Sequence, residues 1–480
     1  MKNLEPKALW SQFDAICQVP RPSKKEKQII AYLQKWGKDH KLETTTDETG
    51  NVLMRMPATP GYENHPTVVL QAHMDMVCEK NGDVKHDFLK DPIETYIDGE
   101  WVKAKGTTLG ADNGIGMAAM LAVMDSKELK HPALECLFTV DEETGLTGAF
   151  GLKPGTLTGK TLINLDSETE NQIFIGCAGG IDTLCTLRFR RAEAPKDMFY
   201  FRVAVKGLSG GHSGDDINKG RANANKLLAR FLAKVANQTE LRLVSFDGGN
   251  LRNAIPREAT AVAAVPMSYK EEVRIQLNHF IADIENEYSA TEPNFAAELE
   301  STKRTAYVME RATTRKLIYA LDGCPNAVHR MCIDMPGLVE TSSNLASVKM
   351  IDENHVQIVT SQRSSVEPAK YAMAQMIESQ FKAIGAKVEH SDGYPGWKPN
   401  PKSAIANTIA ESYERLFGKK AVIKAIHAGL ECGLFSTKYP EMDMVSVGPT
   451  MRGVHSPDER LHIGDTQKFW TLLVDVLERL

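Results

Sequence analysis

The stretch TVVLQAHMDMVCEK, residues 67–80, determines the fold class and raises a question about its polar residues. The apolar, mostly β-branched run VVL at residues 68–70 predicts a buried strand. His73 and Asp75, two ionisable groups separated by one residue, stand at the end of this strand. Because burying an ionisable group without a partner costs free energy, such groups are normally paired or bound to a metal. We therefore expect their partners among the other acids and histidines of the chain.

Length and composition limit the classes of protein that this chain can be. With 480 residues it is long for one hydrophobic core, which predicts two domains or more. The charged fraction of 25% and hydrophobic fraction of 42% are typical of a soluble globular protein. The formal net charge of -5 shows no excess of basic residues, so we expect no nucleic-acid partner.

The chain also lacks the signals of membrane insertion and secretion. No apolar run reaches the roughly 18 residues that a membrane-spanning helix requires. The first residues show helical spacing of apolar positions without the apolar segment of a signal peptide. Eight cysteines are scattered without paired spacing, which is typical of reduced core residues. The sequence therefore predicts a cytoplasmic protein that does not bind a membrane.

The pattern of predicted helices and strands changes twice along the chain. Residues 1–186 alternate short apolar strands with helical patterns, which predicts an α/β domain with a mostly parallel sheet. Residues 187–396 combine alternating strands of an antiparallel sheet with amphipathic helices, as in an α+β domain. An α/β texture returns in residues 397–480 after the Pro/Gly-rich connection SDGYPGWKPNP. The simplest organisation is one α/β domain interrupted by an inserted α+β domain.

Acids and histidines cluster where predicted strands end or a helix begins. In open α/β sheets, sites form outside the carboxyl ends of the strands, so these clusters are expected to meet there. The candidates are His73, Asp75, Asp112, Glu142, Glu143, Asp166 and His455.

Two imidazoles and at least three carboxylates form a ligand set suited to zinc, cobalt or manganese rather than calcium. Their number exceeds the three protein ligands of a usual catalytic zinc, which predicts more than one metal. Asp75 is close enough in sequence to orient His73 as a metal ligand. The pair Glu142 and Glu143 allows one carboxylate to bind metal while the other serves as general base.

Taken singly, each motif has an ordinary structural explanation. His73 and Asp75 are compatible with a hydrogen-bonded surface pair, and DEETG at 141–145 with a solvated turn. The segment GADNGIG lacks the spacing of a dinucleotide-binding loop and is compatible with a glycine-rich turn that caps a helix. The combination, in this order along the chain, favours a metal site.

The motifs AHMD, GADNGIG, DEETG, NLDSE and VHSPDE, in this order around an inserted domain, resemble those of the co-catalytic di-zinc exopeptidases. The likeness covers essentially the whole chain, including NAIPREA and HAGLECGLF. It implies a zinc-exopeptidase catalytic domain interrupted by a lid domain at 187–396. It also implies two Zn²⁺ ions per chain, with Co²⁺ or Mn²⁺ as substitutes.

The resemblance assigns a role to each candidate in the catalytic domain. His73 and Asp166 would hold one zinc, and Glu143 and His455 the other, with Asp112 bridging the two. Asp75 would support His73. Glu142 would be the general base. It would deprotonate a water molecule to give the hydroxide that bridges the two metal ions. The bond between Asp112 and the residue after it is often cis in this family.

The resemblance also assigns roles in the lid. His212 in GLSGGHSGDD matches a histidine that donates a hydrogen bond to the transition-state oxyanion. Asn253 and Arg363 match residues that hold the substrate backbone and carboxylate, and Gly429 matches a backbone contact to substrate. Without the resemblance, His212 would be a turn residue, Arg363 an exposed strand residue and Gly429 part of a plain turn.

The implied activity is hydrolysis of dipeptides, including Xaa-His dipeptides, by a metallo-dipeptidase. Two alternatives remain open: an amidohydrolase of the same chemistry that acts on N-acyl amino acids, and a metal-dependent peptide-binding protein without catalysis. A dinucleotide oxidoreductase is disfavoured because no GxGxxG follows a strand. The sequence leaves open whether the chain forms a homodimer that shares His212 between subunits.

Overall fold

The computed structural model describes Met1 and residues 3–480, which form two compact units. The first unit comprises Met1–Cys177, Trp397–Ala425 and Leu430–Leu480. The second comprises Ala178–Gly396 and Ile426–Gly429. The first is an α/β unit and the second is built on an antiparallel sheet, which confirms the predicted fold class. None of the helices in the described part of the chain combines the length and apolarity that a membrane span would need.

The first unit is built on an eight-stranded mixed sheet with a parallel centre. Four central strands run parallel: Leu134–Thr139, Val68–His73, Thr161–Asn164 and Asp443–Ser446. Every residue of Val68–His73 and Leu134–Thr139 is buried, as expected when helices cover both faces of a parallel sheet. The order across the sheet is Glu43–Thr46, Val52–Met56, the strands Leu134–Thr139, Val68–His73, Thr161–Asn164 and Asp443–Ser446, then Gln172–Cys177 and Val422–Ile426.

Helices and a small second sheet complete this unit. Helix Ala111–Asp125 is buried along nearly its whole length, and its small residues allow close packing against strand Val68–His73. The other helices are Lys7–Cys17, Lys27–Asp39, Glu142–Gly145, Thr147–Gly151, Ala404–Phe417, Glu431–Lys438 and Ile463–Arg479. The four-stranded sheet has the order Met451–Arg452, Arg460–His462, Trp101–Ala104 and Thr95–Asp98.

The second unit is built on a nine-stranded sheet whose registered pairs are all antiparallel. Its strands are Ala296–Ser301, Met198–Lys206, Ala259–Pro266, Arg242–Gly248, Val339–Met350, His355–Ser364, Gly179–Arg188 and Lys387–His390, with Ala327–Met331 paired to Val339–Met350. Helices Ala224–Gln238, Lys270–Tyr288, Arg311–Gly323 and Glu367–Ala383 accompany it, with a short 3-10 helix at Met267–Tyr269. Two-stranded pairs join Arg191–Glu193 to Tyr307–Met309 and Gly211–His212 to Ala254–Ile255. Aromatic and aliphatic side chains from sheet and helices form its core.

The second unit ends at Gly396, the residue expected from the sequence, but it begins at Ala178 rather than at 187 and adds Ile426–Gly429. The unit begins at Ala178 because strand Gly179–Arg188 pairs along its length with strand His355–Ser364 of the antiparallel sheet. It also takes in Ile426–Gly429, where the amide of Ala178 donates to the carbonyls of Ile426 and Ala428. A change of sequence texture marks neither feature, since both depend on hydrogen bonds between distant segments.

Candidate metal centre

Three of the predicted ligands lie at the same edge of the central sheet because they follow parallel strands. His73 ends strand Val68–His73, and Asp166 lies just beyond strand Thr161–Asn164. Glu143 belongs to the short helix Glu142–Gly145, which comes soon after strand Leu134–Thr139. The carboxyl ends of parallel neighbours meet at one edge, as the sequence analysis expected.

Asp112 stands at the centre of the cluster, and each of its carboxylate oxygens faces a different histidine. Oδ1 lies 3.0 Å from Nε2 of His73, and Oδ2 lies 3.1 Å from Nε2 of His455. Asp166 completes the first side, with Oδ1 3.3 Å from Nε2 of His73. Glu143 completes the second, with Oε2 3.0 Å from Nε2 of His455. The structure thus brings all five predicted ligands together in two groups that share Asp112.

The two segments that approach the sheet edge have unusual backbone conformations. The peptide bond between Asp112 and Asn113 is cis, as the resemblance implied. His455 adopts a positive φ of 63° in the turn that follows Gly453. The imidazole of His455 is half exposed, whereas that of His73 is buried.

Asp75 connects His73 to the turn that carries the two glutamates. Its Oδ1 lies 3.3 Å from Nδ1 of His73 and accepts a hydrogen bond of 3.0 Å from the Glu142 amide. Its Oδ2 accepts hydrogen bonds from the Glu143 amide at 3.3 Å and the Ser23 hydroxyl at 2.8 Å. One buried carboxylate therefore lies against the imidazole of His73 and binds the two amides of the glutamate turn.

The close pairing of imidazoles with carboxylates, together with burial, shifts the pKa values of the cluster. Hydrogen bonds to Asp112 and Glu143 raise the pKa of His455 to about 11. Burial opposes ionisation of His73, but Asp166, Asp112 and Asp75 outweigh it and raise its pKa well above the usual range. Burial also raises the pKa of Asp166 to about 7. A bound cation would compete with protons for these same donor atoms.

Glu142 is partly buried beside the two groups that share Asp112 and belongs to neither of them. It forms a third close group with His73 and Glu143. Burial raises the pKa of Glu142 well above its usual range; His73 opposes this shift, while Asp166 adds to it. A carboxylate in this environment has a strong tendency to take up a proton, which is the property that a general base needs.

Glu431, which no sequence motif marks as functional, lies behind this cluster in the structure. Its side chain is fully buried, and Oε2 accepts hydrogen bonds from Gln71 at 2.5 Å and Thr139 at 2.8 Å. Asn164 donates in turn to Gln71 at 2.6 Å. Burial raises the pKa of Glu431 to about 8. The network joins three parallel strands just before the residues that lead into the site.

The lid residues His212 and Asn253 lie in the second unit, on neighbouring segments. His212 pairs with Ala254 in a two-stranded ladder, and the carbonyl of Asn253 accepts a hydrogen bond from the Ser213 amide. Nδ1 of His212 accepts from the amides of Gly214 and Asp215, at 3.3 and 3.1 Å. An Nδ1 that accepts these two amides leaves the ring proton on Nε2, whereas a proton on Nδ1 would face Oδ2 of Asp215 at 3.5 Å.

Arg363 and Gly429 lie together in the same unit. Arg363 is only 7% exposed, which corrects the view of it as an ordinary exposed strand residue. Its Nη1 donates to the Tyr394 hydroxyl at 3.0 Å, and its Nε has no hydrogen-bond partner among the described residues. A Cβ added at Gly429 would lie 2.8 Å from the Tyr394 ring, so only glycine allows this close approach. A buried guanidinium with unused donor capacity is suited to an anionic ligand.

The donor set of the first unit fits two transition-metal cations. Each group offers one imidazole nitrogen and carboxylate oxygens within 4.8 Å of one another. Oε1 of Glu143 and Oδ1 of Asp166 are buried and accept no hydrogen bond from the described residues. Nitrogen and oxygen donors in this number suit zinc, cobalt or manganese.

Comparison with known proteins places this geometry in a family. Residues 69–479 match the family model described as peptidase family M20/M25/M40. The chain belongs to this family. The match includes all five residues grouped around Asp112 and reaches through both units.

Relatives of this M20 peptidase support the assignment along its full length. The chain is 47% identical to the cytosol non-specific dipeptidase of Escherichia coli K12, over 100% of this chain and 99% of the relative. It is also 47% identical to the aminoacylhistidine dipeptidase of Vibrio alginolyticus. The crystal structure of that protein superposes with a TM-score of 0.94, covering 100% of this chain and 98% of the other.

A more distant structure shares the fold alone. The aminopeptidase PepT of Bacillus cereus is 18% identical and superposes with a TM-score of 0.58, covering 99% of this chain and 98% of that one. The two proteins thus share a fold, but their sequence identity is too low to support conclusions about function.

Proposed function

We propose that this protein is a two-cation dipeptidase that hydrolyses free dipeptides, including those that end in histidine. One observation carries the proposal: Asp112 directs one oxygen to the group of His73 and the other to the group of His455. A shared carboxylate of this kind is what a pair of co-catalytic cations requires. The names of the two relatives at 47% identity supply the substrate class, dipeptides and aminoacyl-histidines.

The first cation would be held by His73, Asp112 and Asp166, and the second by Asp112, Glu143 and His455. When bound, the two cations polarise the scissile carbonyl and lower the pKa of water in the site. Asp75 holds the imidazole of His73 in orientation through Nδ1, which leaves Nε2 to face the cation.

Glu142 is the proposed general base. Its amide is anchored to Asp75, and its side chain belongs to neither group that shares Asp112, so its carboxylate is available for proton transfer. It takes the proton from the attacking water and later delivers this proton to the leaving amine. Burial raises its pKa, which makes the ionised carboxylate a stronger acceptor for the proton of the attacking water.

The second unit contributes groups that bind substrate in this proposal. His212 carries its proton on Nε2, because Nδ1 accepts two backbone amides, and this N–H is the proposed donor to the oxyanion. Arg363 would bind the substrate carboxylate through its unused donors. Asn253 and Gly429 would hold the substrate backbone. These roles follow from the resemblance and from the local geometry of this unit.

The test is a hydrolysis assay on metal-stripped and zinc-restored protein. The panel holds Xaa-His and other dipeptides, one tripeptide, and N-acetylated versions of the same compounds. Glu142→Gln protein, purified in the same way, serves as the control for contaminating peptidases. Zinc-dependent cleavage of free dipeptides is the expected result.

The other outcomes favour the alternatives. Cleavage of acetylated compounds alone would move the function to deacylation of N-acyl amino acids. Retained zinc without hydrolysis of any compound would favour a peptide-binding protein. Full activity in the stripped protein would contradict the two-cation proposal.

A further inference from the structure

Glu459 makes an unusual set of contacts with the loop that leads into Asp112. Its side chain is 2% exposed. Oε2 accepts hydrogen bonds from the amides of Leu109 at 2.7 Å and Gly110 at 2.9 Å. Oε1 accepts from the amides of Ala111 at 2.7 Å and Asp112 at 3.3 Å. One carboxylate thus binds four consecutive backbone N–H groups.

These four amides precede or begin helix Ala111–Asp125, where N–H groups have no partner within the helix. The N-cap residue Gly110 provides no side chain to satisfy them. Glu459 therefore fills the capping role from a distant segment, and its negative charge complements the positive end of the helix. The position of the Asp112 backbone depends on this carboxylate.

Glu459 also belongs to the turn that carries His455. The Glu459 amide donates to the carbonyl of Ser456, and the hydroxyl of Ser456 donates to the carbonyl of Gly453. The turn is therefore closed on itself, and Glu459 attaches it to the Asp112 loop. Glu459 thus links two segments of the metal centre, that of Asp112 and that of His455, whose metal-centre residues are 343 positions apart in sequence.

A buried arginine supports the same loop from the other side. Arg21 is 2% exposed, and its Nη1 donates to the carbonyls of Met74 at 3.2 Å and Asp75 at 2.8 Å. Its Nη2 donates to the carbonyl of Gly110. A Cβ at Gly110 would lie 2.6 Å from this Nη2, and the residue has a positive φ of 70°, so glycine is required. Arg21 thus binds the carbonyl of Gly110, and Glu459 binds the amide of the same residue.

We propose that Glu459 is a positioning residue of the metal centre: it holds the Asp112 loop and the His455 turn at the separation that cation binding requires. Arg21 completes the arrangement by tying the Asp112 loop to the segment after His73. The inference rests on the proposed two-cation function and assigns a role to residues outside the ligand set.

The test compares Glu459→Gln with Glu135→Gln by Co²⁺ titration of metal-free protein. Gln keeps the shape, but its NH₂ group faces backbone N–H groups and cannot accept from them. Glu135 is a matched control in the same unit: it is buried, accepts the amides of Thr158 and Gly159, and binds Arg55. Visible absorption of bound Co²⁺ reports ligand geometry, and equilibrium dialysis reports affinity and stoichiometry.

We expect Glu459→Gln to weaken Co²⁺ binding by about 10- to 100-fold and to alter the Co²⁺ spectrum, as outer partners of metal ligands typically do. Glu135→Gln should keep the wild-type affinity and spectrum. Far-UV circular dichroism establishes that each variant is folded. If Glu459→Gln does not fold, Glu459→Asp, which keeps the charge but shortens the reach, should show a smaller loss of the same kind.

Wild-type Co²⁺ affinity and spectrum in a folded Glu459 variant would overturn the inference. An equal loss in Glu135→Gln would also overturn it, because the effect would then be general destabilisation. Failure of the wild-type protein to bind two Co²⁺ ions would instead contradict the proposed function, so the two failures are distinguishable.

Discussion

Replacement of Glu142 by glutamine separates proton transfer from metal binding. The amide of residue 142 stays bonded to Asp75, so the turn keeps its position. The side chain belongs to neither group that shares Asp112, so both cations should remain bound. Gln cannot take up the proton that the buried carboxylate accepts.

The expected loss is in kcat. General base catalysis by a positioned side chain contributes about 10²- to 10⁴-fold. At 1.36 kcal/mol for each factor of ten, this is a loss of about 2.7–5.4 kcal/mol of transition-state stabilisation. Because Gln has nearly the same size and shape, KM should change little.

The assay measures kcat and KM for a dipeptide substrate of the zinc-loaded protein, with bound zinc determined by elemental analysis. Glu143→Gln is the matched control, since the same chemical change in the next residue removes a carboxylate from the group of Asp112 and His455. That variant should lose zinc as well as activity. Glu142 is not the general base if Glu142→Gln keeps its kcat within about a factor of ten of the wild-type value, or if its activity falls only because zinc is lost.

Three further predictions address other parts of the account. Asp112→Ala should lose both cations in elemental analysis, whereas His455→Ala should keep the cation of the His73 group; equal losses would contradict a shared carboxylate. His212→Ala should lower kcat more than it raises KM, because an oxyanion donor acts in the transition state; an effect on KM alone would indicate a binding role. In metal-free protein, the folded pKa of Glu431 near 8 exceeds its ordinary 4.5, so the folded state holds a proton that the unfolded chain releases. The contribution of Glu431 to stability is therefore fully present below pH 4.5 and is lost as pH rises towards 8, by at most about 1.4 kcal/mol per pH unit. Glu431→Gln should reduce this slope in urea unfolding at pH 5 to 8, and an unchanged slope would contradict the assignment.

The sequence predicts the fold class and the residues that the structure groups around Asp112 for a physical reason. His73 and Asp166 follow runs of apolar residues that can only be buried strands, and parallel strands bring their carboxyl ends to one edge. Polar groups at such positions are therefore near one another whatever the connecting loops do. The short spacing of His73 and Asp75 likewise predicts a local contact, which the structure places at 3.3 Å.

Other features depend on contacts between distant segments and leave no local pattern. Glu459 lies in the motif VHSPDE and Glu431 in HAGLECGLF. Their partners are far away in sequence: backbone amides for Glu459 and strand side chains for Glu431. Arg21 lies in an ordinary polar stretch, and only the folded chain shows that its guanidinium is buried. The start of the second unit at Ala178 is hidden for the same reason, because sheet pairing rather than texture determines it.

A zinc titration of metal-free protein is the most direct test of a dipeptidase that requires two cations. Dipeptidase activity and bound zinc are measured together as equivalents of Zn²⁺ per chain increase. If two cations act together, activity reaches its plateau when two Zn²⁺ are bound per chain. Asp112→Ala then shows neither activity nor stoichiometric zinc binding. Full activity without zinc, or a plateau with a single ion bound, would contradict this requirement.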